Sequence, residues 1–142
     1  LILRNIDDEN AGQYRQQNVL ISCTTTMPPD YTLLNDKMAH LVDWYNSAAH
    51  TFHPIERAAK VHADFVGIHP FIDGNGRTSR LLMNLELMKA GYPPCVITVE
   101  NRLAYYEALD QWMAYEKTEA FIQLVTDAVL DGFKPYQVVL GL

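Results

Sequence analysis

From residue 34 onward apolar side chains return every three or four positions, the spacing that gathers them on one face of a helix. Leu34, Met38, Leu41, Val42 and Tyr45 predict a first helix from Leu34 to Ala49, with Asn35 and Asp36 as its acidic, cap-prone start. A second begins near Pro54, whose fixed φ suits a first helical position, and carries Ile55, Ala58, Ala59, His62, Phe65 and Val66. It must end by Ile68, because the ring of Pro70 disfavours the α region for His69, which is expected in an extended or turn conformation. From Arg77 to Ala90 the apolar positions lie nearly all round (Leu81, Leu82, Met83, Leu85, Leu87, Met88), which predicts a central helix closed by Gly91 and then Pro93-Pro94. Two further helices are predicted at Asn101–Glu116 and Thr118–Leu130, with a short helical tail at Pro135–Leu140. Upstream, Val19-Leu20-Ile21 and Ser22-Cys23-Thr24-Thr25-Thr26 are rich in β-branched residues before Pro28-Pro29, and predict a strand or hairpin. The expected architecture is all-α, a helical bundle with one small β-hairpin.

At 142 residues the chain is expected to form a single domain, 1–142, able to bury its own core. Lys and Arg number 11 against 17 Asp and Glu, so the net charge of −6 lacks the basic footprint that nucleic acid requires. No apolar run in this segment approaches the ~20 residues of a membrane span. Cys23 and Cys95 match no zinc or disulfide spacing, and both are expected to be reduced, as in a cytoplasmic protein. Leu1-Ile2-Leu3-Arg4-Asn5-Ile6 reads as the end of a helix, so the expectation is that the native chain begins further upstream.

The chemistry concentrates between the second and third helices, in His69-Pro70-Phe71-Ile72-Asp73-Gly74-Asn75-Gly76-Arg77-Thr78-Ser79-Arg80. Gly74 and Gly76 take positive φ freely and Asn75 tolerates it, so the stretch can curl into a nest of backbone N–H groups that opens into a helix N-terminus, both of which attract anions. Arg77 and Arg80 share a face and oppose the helix dipole, an arrangement that makes sense if phosphate oxygens neutralise them. A carboxylate beside such a cradle needs a cation between, so Asp73 reads as a ligand for Mg²⁺ shared with the phosphates. His69 stands at the rim, placed to take a proton from an incoming hydroxyl, and nearby arginines should favour its neutral form. His62, on an apolar face, reads as a structural histidine, and Trp44, Trp112, Tyr105 and Tyr115 as packing residues. No Walker pattern is present, since the residues before the loop are helical and the loop has no Lys.

The block matches, residue for residue, the signature HxFx(D/E)GNGRxxR, and the chain resembles a Fic domain. The likeness extends through Gly12-Gln13-Tyr14-Arg15, Val19 to Pro29, Ala90 to Pro94 and Arg102 to Tyr106, and is nearest to the type with an N-terminal inhibitory helix. The resemblance implies a Fic-type bundle that transfers AMP from ATP to a Ser, Thr or Tyr hydroxyl of a target protein and releases pyrophosphate. It implies His69 as base, Asp73 as Mg²⁺ ligand, Gly74, Asn75 and Gly76 as the phosphate cradle, and Arg77 and Arg80 on the β- and γ-phosphates. It places Tyr106 beside adenine and makes residues Val19 to Thr26 a flap that lays the target alongside His69 by strand addition. Cys23-Thr24-Thr25-Thr26 departs from the Gly-[AS]-x-His that relatives often carry. The inhibitory pattern [ST]xxxE[GN] does not occur in the chain, so it is expected upstream. Transfer of another group (UMP, phosphate, phosphocholine), removal of AMP, or a catalytically silent binding module stay open as alternatives, as does a homodimer.

Overall fold

The computed structural model describes Ile2 and residues 7–21 and 24–141. Over these residues the chain forms α1 (Leu34–Ser47), α2 (Pro54–Ile68), α3 (Asn75–Lys89), α4 (Arg102–Tyr115) and α5 (Glu119–Leu140), with 3-10 turns at Tyr31–Leu33 and Ala49–Thr51. None of these helices is long and apolar enough to cross a membrane.

The centre is α2, against which α1, α3, α4 and α5 all pack. Ala58, Ala59 and Ala63 are fully enclosed, and their small side chains let neighbours approach closely. Phe121 of α5, also fully buried, sits among His62, Tyr105 and Trp112. Burial of an aromatic ring of this size contributes on the order of 1.5–3 kcal/mol. The central place expected for α3 belongs to α2 instead. Met83 and Leu87 of α3 are buried, whereas Leu81, Leu85 and Met88, one face at i, i+4 and i+7, are exposed. An apolar circumference marks a helix that can be covered all round, and α3 is covered on one side.

Capping residues explain where the helices begin and end. Asp30, rather than Asn35 or Asp36, caps the turn into α1 by accepting from the Thr32 N–H at 3.0 Å and the Thr32 hydroxyl at 2.6 Å. At α2 the His53 Nδ1 accepts from the Ile55 N–H while Glu56 reaches back to the His53 N–H, both at 3.3 Å, with Pro54 in the first turn. Gly91, at φ 83°, closes α3 as expected, and the Tyr92 N–H returns to the Leu87 carbonyl. The break expected between Leu130 and Pro135 does not occur, and α5 runs through Pro135. Pro135 removes one ladder bond, but it lies near an exposed end where Val138, Val139 and Leu140 face solvent and water can serve the freed carbonyl.

Glu86 ties three helices together. Its carboxylate, 5% exposed, receives Arg57 of α2 at 2.9 Å, Lys89 at 2.9 Å and the Tyr45 hydroxyl of α1 at 2.7 Å. Burial alone would push its pKa up, but the bonds from Tyr45 and Lys89 and the charges of Lys89 and Arg57 outweigh it and leave it below the usual range.

The expected β-hairpin is not seen: no strand forms among the described residues, and Ser22 and Cys23 lie outside them, as do Leu1 and residues 3–6 of the expected helix end. A two-stranded hairpin is marginal without a further strand or a packed face. Here the segment is held by side chains instead. Asp110 of α4 accepts from the backbone N–H groups of Thr25 and Thr26 at 2.9 and 3.1 Å and from their hydroxyls at 2.6 and 2.9 Å.

Candidate active site

The loop from His69 to Arg80 is built mostly from its own bonds. His69 is the C-cap of α2, with its N–H on the Phe65 carbonyl at 3.1 Å and φ, ψ of 52° and 57°. Of the extended or turn conformations expected there, the chain takes a turn, with His69 in the left-handed region. Pro70 does exclude the α region, but only a left-handed cap keeps the Phe65 bond while turning the chain sharply, at a cost of about 1–2 kcal/mol for a side-chain-bearing residue. Asn75 then staples the turn, accepting from the Phe71 N–H at 2.9 Å and donating to the Phe71 carbonyl at 2.8 Å. Gly74, at φ 84°, is the N-cap of α3, and its carbonyl receives the Thr78 N–H and hydroxyl, each at 2.9 Å. That bond opens the helix ladder, so the preceding N–H groups of Asn75, Gly76 and Arg77 have no partner within the helix.

The His69 ring has a defined polarity. Nδ1 lies 3.0 Å from the Val66 carbonyl, which can only accept, so the proton sits on Nδ1 and Nε2 keeps its lone pair. Its pKa is lowered, chiefly by burial; Arg15 lowers it further, while the Val66 bond and Asp73 pull the other way. The neutral form is therefore favoured, but by burial first, and the arginine that contributes is Arg15 rather than Arg77 or Arg80.

Asp73 and Arg77 form a pair at 3.0 Å on the exposed rim, and the second Asp73 oxygen takes the Gly74 N–H at 2.5 Å. Arg80 folds back over the start of α3: a Cβ on Gly76 would stand 3.7 Å from its Nη1. Tyr106 is half-buried, with its ring against Tyr105 at 5.2 Å and the Arg102 guanidinium 5.7 Å above it. The loop thus gathers His69, Asp73, Gly74, Asn75, Gly76, Arg77 and Arg80. Val19, Leu20 and Ile21 form no strand beside it.

A sequence profile of the Fic/DOC family matches residues 1–87. The chain belongs to the Fic/DOC family. It is 44% identical over 109 residues to protein adenylyltransferase fic-1 of Caenorhabditis briggsae and 45% identical over 109 residues to protein adenylyltransferase Fic of Aedes aegypti. Each of those alignments covers 76% of this chain and 21% of the relative, so the chain spans about a fifth of the curated relatives it matches. Among solved structures it is similar to residues 134–508 of Fic-1 from C. elegans, with a TM-score of 0.84 and 35% identity over 98% of this chain and 40% of that one.

Two residues that fasten the segment before α1 are not picked out by any local pattern of the sequence. Arg15 is buried, 4% exposed, and gives its Nε–H to the His69 carbonyl at 2.8 Å, while its backbone N–H donates to the Pro70 carbonyl at 2.9 Å. Its remaining donors reach the carbonyls of Gln17 at 2.9 Å and Pro29 at 2.6 Å, so one guanidinium joins the loop to the segment before α1. Asp110, which holds Thr25 and Thr26, is the other. Nothing local distinguishes Arg15 from a surface arginine; its place in Gly12-Gln13-Tyr14-Arg15 was the available signal.

Proposed function

We propose that this Fic/DOC chain transfers AMP from ATP to a hydroxyl side chain (Ser, Thr or Tyr) of a target protein. The observation that carries the reading is His69: a neutral ring with Nδ1 committed to Val66 and Nε2 unprotonated, beside a helix start whose N–H groups and two arginines suit phosphate. The names of the relatives, protein adenylyltransferases, support the same reading.

In this mechanism the target oxygen bonds to the α-phosphorus, the bond from that phosphorus to the bridging oxygen breaks, and pyrophosphate leaves. His69 Nε2 takes the hydroxyl proton as the attack proceeds, and the Val66 carbonyl holds the resulting imidazolium in place. Arg77 and Arg80, with the first N–H groups of α3, receive the β- and γ-phosphates and stabilise the charge that gathers there. Asn75 keeps the turn closed, and Tyr106 offers a face to adenine.

Asp73 fits Mg²⁺. A single exposed carboxylate is what an ion otherwise coordinated by phosphate oxygens and water needs, and no cluster of three ligating side chains among the described residues would suit an all-protein site. When bound, the ion would draw electron density from the phosphate oxygens. Arg77 would then exchange its bond to Asp73 for phosphate.

Incubation with labelled ATP tests the reading. Label on protein from the α-phosphate and none from the γ-phosphate is expected, and label from the γ-phosphate alone would replace AMP transfer with phosphoryl transfer. Loss of α-label in chelator and its return with Mg²⁺ is the expected outcome for Asp73.

A further inference from the structure

His69 can serve as a base only while its proton stays on Nδ1. That state is not intrinsic to the residue, because a neutral imidazole carries its proton on either nitrogen, and the hydrogen bond made by one decides the other. Here the deciding bond runs from Nδ1 to the Val66 carbonyl at 3.0 Å, three residues back. The ring makes it from a backbone in the left-handed region, at φ 52° and ψ 57°. Residues with a side chain stay there only when their surroundings hold them. Pro70 narrows the choice by excluding the α region for the residue before it, yet it leaves the extended region open.

The remaining hold comes from Arg15. Its Nε–H donates to the His69 carbonyl at 2.8 Å and its backbone N–H to the Pro70 carbonyl at 2.9 Å. Each carbonyl belongs to a planar peptide, so two bonds from one residue fix the peptides on both sides of Pro70, and with them the ψ of His69. The clamp is itself fastened. Nη1 donates to the Gln17 carbonyl at 2.9 Å, Nη2 donates to the Pro29 carbonyl at 2.6 Å, and the residue is 4% exposed. A planar fork reaches three carbonyls at once, which the single ammonium of a lysine does not.

We propose that Arg15 is a positioning residue for His69: by clamping the carbonyls of His69 and Pro70 it holds the left-handed cap in which the ring keeps Nδ1 on Val66 and Nε2 unprotonated for the target hydroxyl. This rests on the reading of His69 as the base and adds what fixes its tautomer. Arg15 acts through the backbone of His69 and needs no contact with nucleotide or target. Because the same guanidinium holds the Gln17 and Pro29 carbonyls, the base and the segment before α1 are set in place together.

The test is nitrogen NMR of the imidazole rings of the 142-residue chain at mildly alkaline pH, with the His69 signals assigned by their loss in His69→Gln. The parent should show Nδ1 protonated and Nε2 bare, and the opposite pattern there would overturn the assignment before any variant is made. Arg15→Lys keeps the charge and the backbone bond to Pro70 but loses the fork. Its two His69 tautomers should approach comparable shares, and labelling of protein from α-labelled ATP should fall roughly tenfold to a hundredfold. Affinity for a non-hydrolysable ATP analogue should stay within about twofold, since no uniform binding is removed. Val129→Ala, a truncation of the buried core in α5, controls for general loss of stability and should leave the tautomer as in the parent. An unchanged tautomer in Arg15→Lys, an equal shift in Val129→Ala, or a loss of analogue affinity as large as the loss of labelling would each overturn the role given to Arg15. If the tautomers behave as expected and the parent transfers no α-label, the reading of His69 as the base fails while the hold of Arg15 on its ring stands.

Discussion

Residues 69–74, which lead into α3, and the described residues between 15 and 30 are neighbours outside regular secondary structure, and they are held in opposite ways. In the first, the bonds that set the turn span one to four residues: His69 to Phe65, Asn75 to Phe71, Gly74 to Asp73, Thr78 to Gly74. In the second, Asp110 reaches Thr25 from 85 positions away, and Arg15 reaches His69 from 54. A segment closed on itself keeps its geometry while the rest of the molecule shifts. A segment fastened by distant side chains takes its position from them and moves when they do.

The sharpest separation of the two should come from His69→Ala. It removes the proposed base and leaves every tether of the second stretch in place, so the proposed AMP transfer should fall roughly 10²–10⁴-fold while nucleotide affinity and thermal stability stay near the parent. Target labelling alongside a binding titration checks this. Because the parent His69 pKa is lowered, the neutral base persists below the pH at which an ordinary histidine protonates. The acid limb of kcat/KM should therefore lie below about 6.5, with activity falling as pH drops through it and not before.

Arg15→Ala should couple the two regions by damaging both. The carbonyls of His69, Gln17 and Pro29 lose their shared, buried donor together, and a loss of roughly 2–4 kcal/mol is expected in urea unfolding. If activity survived with the loop's hydrogen exchange unaltered, the loop would be independent of its neighbour. Gly74→Ala strikes the first region alone. At φ 84°, with the new Cβ 3.1 Å from Ile2, it should cost about 1–2 kcal/mol and weaken nucleotide, without changing amide exchange at Thr25 and Thr26. Asp110→Asn should do the reverse. Amide exchange at Thr25 and Thr26 should quicken while the melting temperature barely moves. The Asp110 carboxylate has its pKa lowered by the Thr25 hydroxyl first, then by the other donors, so in the parent the contact is present above the ordinary Asp range and is lost as pH falls through the lowered value.

The same contrast separates what the chain's letters disclose from what they hide. The bounds of α2 follow from Pro54 and Pro70, and the turn after it follows from residues whose preferences are expressed within four positions. Thr25 and Thr26, at the end of the stretch rich in β-branched residues, find their partner in a carboxylate on α4, which no periodicity announces. Leu81, Leu85 and Met88 look as buried as Met83 and Leu87 until the packing of α2 decides which side of α3 is covered. Pro135 reads as a stop because its cost is local, and the solvent at the end of α5 that reduces this cost is not.

Cys95 gives the fold a clock. Asn84 holds it from both sides, donating to its carbonyl at 3.2 Å and accepting its N–H at 2.7 Å, and the thiol is 4% exposed with its pKa pushed up by burial to about 11. A thiol reagent needs both access and a thiolate, and the folded chain withholds both. In a Cys23→Ser background, the rate of alkylation therefore reports how often the packing of α3 against the segment after it comes apart, one molecule at a time, under conditions where the chain is overwhelmingly folded.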